Sequence, residues 1–241
     1  MIFTSNKFGC ELLENIPDFQ NWQEALLWIK ESQKQLRQLS LNKIMEQGVV
    51  SLEWDQREQN KMFPFGFYPS ENWRKFVLAV FFADLISYER STDQVDFERL
   101  LFVMHAFPSG FRTWWVKCDG WLPVGYTGWY PMSEAMFELF EKHPEKLKDR
   151  MVVPNVCLKE NPYLYLFNFS IVPELKKSLL SKKLLKQFIA DINTQNAAGL
   201  ACIAVSDDGM RIAGGLGMSC SGQFHLYGVV EKVFVKSLKI G

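Results

Sequence analysis

The chain has no excess of charge of either sign: 27 Lys and Arg stand against 27 Asp and Glu in 241 residues. A zero balance removes the overall electrostatic pull that nucleic acid or an anionic membrane exerts on its main partners. No run of 18 apolar residues occurs, and the greasiest stretch, 76–82 (FVLAVFF), is far too short to span a bilayer. The first sixteen residues hold one Lys and no long apolar core, so a signal peptide is not expected. Cysteine is sparse: Cys10, Cys118, Cys157, Cys202 and Cys220 are odd in number, widely spaced and without a CxxC pair. That excludes a disulfide framework and a zinc site, and it predicts reduced thiols in a cytoplasmic protein. His105, His143 and His225 form no HxxH or HExxH pair, and no GxSxG elbow occurs. Asp207-Asp208-Gly209 lacks the later ligand positions of a calcium loop, so no metal is expected. Internal repeats and low-complexity tracts are absent as well.

What is present is a globular composition, 48% hydrophobic and 22% charged, with 20 Phe and 8 Trp. The first ~105 residues read as mostly helical. Trp22, Leu26, Ile29, Leu36 and Leu39 recur at helical steps over 18–47, ended by Gly48. An irregular connection is expected over 49–69, then a helix from Ser70-Glu71 to about Glu89. Ser91 or Thr92 is expected to cap a third helix ending near His105. From Phe111 the pattern changes. Residues 111–118 and 121–130 read as strands joined at Asp119-Gly120, and Pro131-Met132-Ser133 opens a helix. A strand is expected over 163–172, a helix over 178–196 and a buried strand over 200–206. A short helix capped by Asp207 or Asp208 and a strand-like tail over 223–238 follow. The expectation is an α/β (α+β) fold: a helical N-terminal region, 1–108, packed on a sheet domain, 109–241. Trp22, Trp28, Trp54, Phe63, Phe65, Phe67, Tyr68 and Trp73 then either cover the sheet and shape an acceptor site or form an interface.

The most informative segment is 163–218. A strand running into a helix N-terminus makes an anion site, because first-turn N–H groups have no intrahelical acceptor and the helix dipole favours negative charge. Lys176, Lys177, Ser178, Ser181 and Lys182 add donors there. The alternative is an ordinary solvated, basic helix start.

The order of these pieces resembles the GNAT superfamily of acetyl-CoA-dependent N-acyltransferases. The family's pattern is a strand with a V-x-P-like end, an R/Q-x-x-G-x-G/A loop opening a helix with an apolar pair, a strand, a short helix and a G-F pair. Residues 170–174 (SIVPE) match the strand end, and Lys176-Lys177-Ser178-Leu179-Leu180-Ser181 stands where the loop belongs. Leu184-Leu185 match the apolar pair, Gly217-Met218 the G-F pair, and Ser206 falls where an Asn often touches the pantetheine. The two strands before it resemble the hairpin preceding the cofactor strand, so about 130 residues are covered. Lys176 replaces Arg or Gln, Leu179 and Ser181 replace the two glycines, and Ala213 replaces the frequent acid Tyr.

The resemblance implies a GNAT-like mixed sheet flanked by helices and direct transfer of an acyl group from acetyl-CoA or another acyl-CoA to an amine. The acceptor is a small molecule or a peptide. Backbone groups of Ser170, Ile171 and Val172 would pair with the pantetheine, and the 176–182 loop with Leu180 would hold the phosphates. Water or another hydroxyl would replace the missing Tyr as acid. Tyr130, Tyr165 and Asn168 would line the acceptor side, the two tyrosines being the catalytic candidates. The alternatives are a non-catalytic GNAT-like module that binds CoA or a protein partner, and an unrelated α/β interaction protein. A splayed V between strands 163–172 and 200–206 separates the first two readings from the third.

Overall fold

The computed structural model describes residues 2–4, 9–38, 44, 48–54, 71–88, 95–148, 151–155, 160–226 and 229–238. Phe63, Phe65, Phe67, Tyr68, Cys157, Ser91 and Thr92 lie outside them. One eight-stranded mixed sheet organises the chain, in the order β1-β2-β3-β4-β5-β6-β8-β7. Its strands are β1 (Ile2–Thr4), β2 (Val49–Glu53), β3 (Phe111–Lys117), β4 (Trp121–Met132), β5 (Tyr163–Ile171), β6 (Gly199–Ala204), β7 (Ser219–Leu226) and β8 (Val229–Ser237). The helices are α1 (Gly9–Glu14), α2 (Trp22–Gln38), α3 (Glu71–Ser87), α4 (Phe97–Ala106), α5 (Glu134–Lys142), α6 (Leu179–Asn193) and α7 (Asp207–Gly215).

The apolar run that is too short for a membrane is the central helix α3. Trp73, Phe76, Val77, Val80, Phe81 and Phe82 are all buried, as befits a helix apolar on every side. It lies on β4 and β5, and Phe82 meets Phe19 and Trp28 at 5.7 and 5.0 Å between ring centroids. Trp54 meets Trp73 at 4.9 Å. Part of the aromatic surplus of the N-terminal region is thus buried against α3. On the opposite sheet face α6 inserts Phe188 and Ile192 among Trp129, Leu164 and Leu166. With both faces covered, β3 and β4 are buried almost end to end and lose the alternation of a half-exposed strand.

Several expectations need correction. The connection over 49–69 begins with strand β2: Val49, Val50 and Leu52 are buried and pair antiparallel with β3. Strand β4 continues through Pro131 to Met132, and Ser133 caps α5 by accepting from Met136 N–H. Asp96 caps α4, accepting from Arg99 N–H at 3.0 Å. Ser206, not Asp207 or Asp208, caps α7. The tail is a hairpin of two strands, β7 and β8.

Tight backbone approach fixes Gly110, where a Cβ would lie 1.8 Å from the Trp129 carbonyl oxygen. At Gly214, in exposed α7, a Cβ would meet nothing within 4 Å. Gly110→Ala is therefore expected to lower stability by ~1–3 kcal/mol or more, as overpacking does, and the urea midpoint with it. Gly214→Ala is expected to leave stability unchanged or raise it by up to ~1 kcal/mol. Equilibrium unfolding with unchanged slope checks both.

Candidate functional site

Strand β5 pairs with β4 over eight positions, from Met132↔Tyr163 to Gly125↔Ile171. With parallel β6 it pairs at only three, Tyr163↔Gly199, Leu164↔Leu200 and Tyr165↔Ala201. Beyond Tyr165 the two strands part. Strand β6 stays attached to β8 over six pairs. The result is the splayed V, open toward the strand ends that run into α6 and α7.

A bulge starts where the pairing stops. The β4–β5 register shifts between Gly128 and Trp129, leaving Phe167 unpaired. One extra residue exchanges the faces of every later side chain. Leu164 and Leu166 face α6 before the bulge, and Phe169 does so after it, 5.9 Å from Phe188. Tyr165 faces the other side before it, and Asn168 and Ser170 after it.

The ladder also decides which backbone groups face the opening. Val172 N–H donates to Val124 O at 2.9 Å, toward β4. By antiparallel alternation Ser170 turns the same way, whereas Phe169 and Ile171 turn N–H and C=O toward the opening. Among the described residues no strand answers them there. So of the expected trio Ser170, Ile171 and Val172, the backbone of Ile171 faces the cleft. The Ser170 hydroxyl donates to Ala83 O at 3.5 Å, on α3.

At the mouth, Pro173–Leu175 forms a single turn, and Lys177 takes a left-handed φ of 59°. Ser178 then caps α6. Its hydroxyl accepts from Ser181 N–H at 3.1 Å and donates to Leu175 O at 2.6 Å. One first-turn amide of the expected anion cradle is thereby occupied. Lys176 donates to Ser87 O at 3.3 Å, on α3. Leu179 points outward and is 69% exposed, while Leu180 is buried. Lys177 and Lys182 are exposed. Across the mouth the Ser206 hydroxyl caps Gly209 N–H at 3.1 Å, and Ala213 is buried. The Cys202 thiol on β6 is pushed up to about 12 by burial, so it stays protonated.

Tyr130 is fully enclosed. Its hydroxyl donates to Val152 O at 2.9 Å and accepts from Arg99, so it is bound into the core. The ring of Tyr165 lies 5.3 Å from that of Tyr130 and 5.6 Å from Phe140, also largely buried.

The largest polar feature beside the opening was absent from the sequence reading. Asp84 of α3 is fully buried. One of its oxygens accepts from the Tyr126 hydroxyl at 2.7 Å and Asn168 Nδ2 at 3.1 Å, the other from Val95 N–H at 2.8 Å. Asn168 Nδ2 also donates to the Tyr126 hydroxyl at 2.5 Å, and Asn168 Oδ1 accepts from the half-buried Tyr88 hydroxyl at 2.8 Å. A chain of hydrogen bonds thus runs from the core to Tyr88, through Asn168 on the unpaired stretch of β5. The signal was an aspartate inside an apolar helix, which is too costly to bury without partners. Burial pushes the Asp84 carboxyl up to about 7, against the hydrogen bonds from Val95, Tyr126 and Asn168 that lower it.

No family model and no curated protein matches the sequence. Similar solved structures include the NatC complex bound to Gag peptide and CoA, with TM-score 0.49 and 10% identity over 79% of this chain and 99% of that one. Another is the GphF GNAT-like decarboxylase in complex with isobutyryl-CoA, with TM-score 0.48 and 14% identity over 68% and 95%. A third is a putative acetyltransferase of the GNAT family from Desulfovibrio desulfuricans, with TM-score 0.45 and 12% identity over 79% and 99%. Likenesses this shallow carry no chemistry to this chain, whose own residues must supply it. No helix among the described residues is long and apolar enough to cross a membrane, and no cluster of potential metal ligands occurs among them.

The raised carboxyl has a thermodynamic signature. The folded state holds the Asp84 proton up to about pH 7, whereas the unfolded chain releases it near the ordinary aspartate value of 3.8. Between those limits the folded state binds more protons, so stability falls as pH rises, by up to ~1.4 kcal/mol per pH unit. Urea unfolding at pH 5 and pH 7.5 is expected to show this loss in the wild type and a markedly smaller one in Asp84→Asn. Equal slopes in the two proteins would show that Asp84 is ionised throughout.

Proposed function

We propose that this protein acts in the cytoplasm and transfers an acyl group from acetyl-CoA or another acyl-CoA to an amine on a small molecule or peptide. The observation that carries this reading is the parting of β5 and β6 after three pairs, with the backbone of Phe169 and Ile171 turned into the gap. An extended pantetheine arm, with its amide groups, suits such a gap as a strand would. Lys176, Lys177, Ser178, Leu179, Leu180, Ser181, Lys182 and Ser206 surround the end where the phosphates would leave.

The amine lone pair attacks the thioester carbonyl carbon. The Ile171 N–H faces the developing oxyanion and stabilises it more than it stabilises the ground-state carbonyl. The C–S bond then breaks with its electron pair going to sulfur, and the departing thiolate takes a proton. The ammonium proton leaves to water. With Ala213 in the position of the usual Tyr, the Tyr88 hydroxyl is the donor for the thiolate: its single proton, held on Asn168 Oδ1 before the reaction, swings to the sulfur, and the phenolate left behind regains a proton from water. Asp84 is a positioning residue. When ionised, it strengthens the hydrogen bonds from Tyr126 and Asn168 and fixes the amide that orients Tyr88. Tyr165 lines the acceptor side, and Tyr130 supports it from behind.

The second reading, a module that binds CoA or a protein partner without turnover, is favoured by the buried Ala213, which stands where the resemblance places the acid Tyr. Unfolding with and without acetyl-CoA separates these readings. At about 100 times its dissociation constant the ligand should add ~2.7 kcal/mol. We expect that stabilisation, its weakening in Lys176→Ala with Lys182→Ala, and acetylation of a primary amine. Tyr88→Phe should keep the stabilisation and lose ~10²-fold or more in turnover. Asp84→Asn should flatten the rise of turnover with pH near 7. Stabilisation without turnover would favour the second reading, and no stabilisation would overturn both.

A further inference from the structure

The exposed face of α6 carries a charge pattern that a nucleotide does not explain. Between Leu175 and Ala190 there is no carboxylate, and five lysines stand there: Lys176, Lys177, Lys182, Lys183 and Lys186. All five are exposed. Among the described residues none of them pairs with a carboxylate. The two flanking acids are already engaged, Glu174 with Arg37 and Asp191 with Arg112. In a chain of zero net charge, this is a local surplus of positive charge beside the mouth of the V.

Its geometry is that of a docking stripe. Leu179, Lys182, Lys183 and Lys186 follow i, i+3, i+4, i+7 spacing, so they form one face of α6, opposite the buried Leu180, Leu184 and Phe188. At 1.5 Å per residue the stripe runs ~10 Å beyond Leu179. A diphosphate at the helix start reaches only the first turn. That first turn is already partly occupied, since Ser178 caps Ser181 N–H and Lys176 is drawn to Ser87 O. Asp207 and Asp208 open α7 at the neighbouring strand end, which disfavours a second phosphate on that side. The 69% exposed Leu179 adds an apolar anchor amid the lysines.

Resting on the acyl-transfer reading above, we propose that the acyl donor is carried on the phosphopantetheine arm of a small acidic carrier domain, which docks on the Leu179–Lys186 face of α6 while its arm enters the V between β5 and β6. A carrier-borne arm has a single phosphodiester and needs little of the cradle. Its affinity comes from opposite charge across the stripe, and such contacts act mainly on association and on salt dependence.

The full chain is titrated at low and at 0.3 M salt with a phosphopantetheinylated acyl carrier protein, with the same carrier lacking its arm, with CoA and with duplex DNA. The expected result is tighter binding of the armed carrier than of CoA, weakened at least ~10-fold by high salt and by Lys183→Glu with Lys186→Glu. CoA binding by that double variant stays within ~2-fold of the wild type. CoA binding as tightly as the armed carrier would overturn the inference and leave the acyl-transfer reading standing. The same holds if the double variant weakens CoA and carrier equally, or if DNA binds the stripe and the carrier does not. If neither CoA nor the armed carrier binds, both readings fall together.

Discussion

Strand β5 answers to two neighbours that pull it differently, and the rest of the site follows from that. Eight pairs with β4 fix its course, while three with β6 fix only its start. Two side-chain facts keep the strands apart. The Phe167 bulge twists β5 directly after the last shared pair, and Phe169 then leans onto Phe188 of α6. Strand β6 is held by β8, which satisfies its far edge. Reclosing the V would require β5 to lose its bulged register, and every side chain beyond it would change face. The opening is therefore a property of the packed sheet and costs the fold the unpaired backbone groups on its two facing edges, those of Phe169 and Ile171 among them.

The buried carboxyl of Asp84 ties this opening to the core. A charge on α3 without partners would be prohibitive, so each of its oxygens is answered. Those answers come from three places: Val95 just before α4, Tyr126 on β4 and Asn168 on β5. Asn168 is engaged by the arrangement both as donor, through Nδ2, and as acceptor, through Oδ1. Its orientation is consequently fixed from the interior, and with it the Tyr88 hydroxyl. A network in which every member is satisfied rigidifies, and one missing bond leaves the others exposed to the full cost of burial. The bulge is what brings Asn168 to this side. Without it, the parity of β5 would place residue 167 over α3 and turn the amide toward α6.

Much of this was legible along the chain, because local chemistry decided it. Asp119-Gly120 turns the β3–β4 hairpin, Ser178 and the Leu184–Phe188 spacing define α6, and the β-branched and aromatic run at 163–171 is a strand. The parting of the strands follows from no single residue; along the chain it stands only as the feature that separates the GNAT-like readings from the third. What escaped depended on partners distant in sequence. Val49–Glu53 is strand because β3, some sixty residues on, and β1, near the start of the chain, supply its ladders. Tyr130 looked like an available hydroxyl until Arg99 and Val152 were found around it. The network around Asp84 is not legible locally, because its partners Tyr126 and Asn168 lie some forty and eighty residues away. The bulge at Phe167 is marked only across the ladder, by Gly128 on β4, where the register shifts.

On the proposed reading, two replaced positions at the mouth of the V redistribute recognition. Where the resembling family has glycines that let backbone amides approach phosphate, this chain has Leu179 and Ser181, and Ser178 turns its own hydroxyl onto the Ser181 amide. The helix start is thus satisfied from within, which is the ordinary solution for an N-cap and stabilises α6 whether or not a ligand is present. On the proposed reading, a phosphate entering there must displace that cap and gains only the difference between two hydrogen-bonded states. Donor affinity then shifts to the two ends of the problem: the arm that pairs with Phe169 and Ile171 inside the V, and the uncompensated lysines outside it. Because neighbouring acids at Glu174 and Asp191 are already committed to Arg37 and Arg112, the lysine face keeps its full charge for a partner. On the proposed reading, a self-capped helix and an unneutralised face on the same element are two halves of one arrangement, in which the interior reads the thioester and the surface reads what carries it.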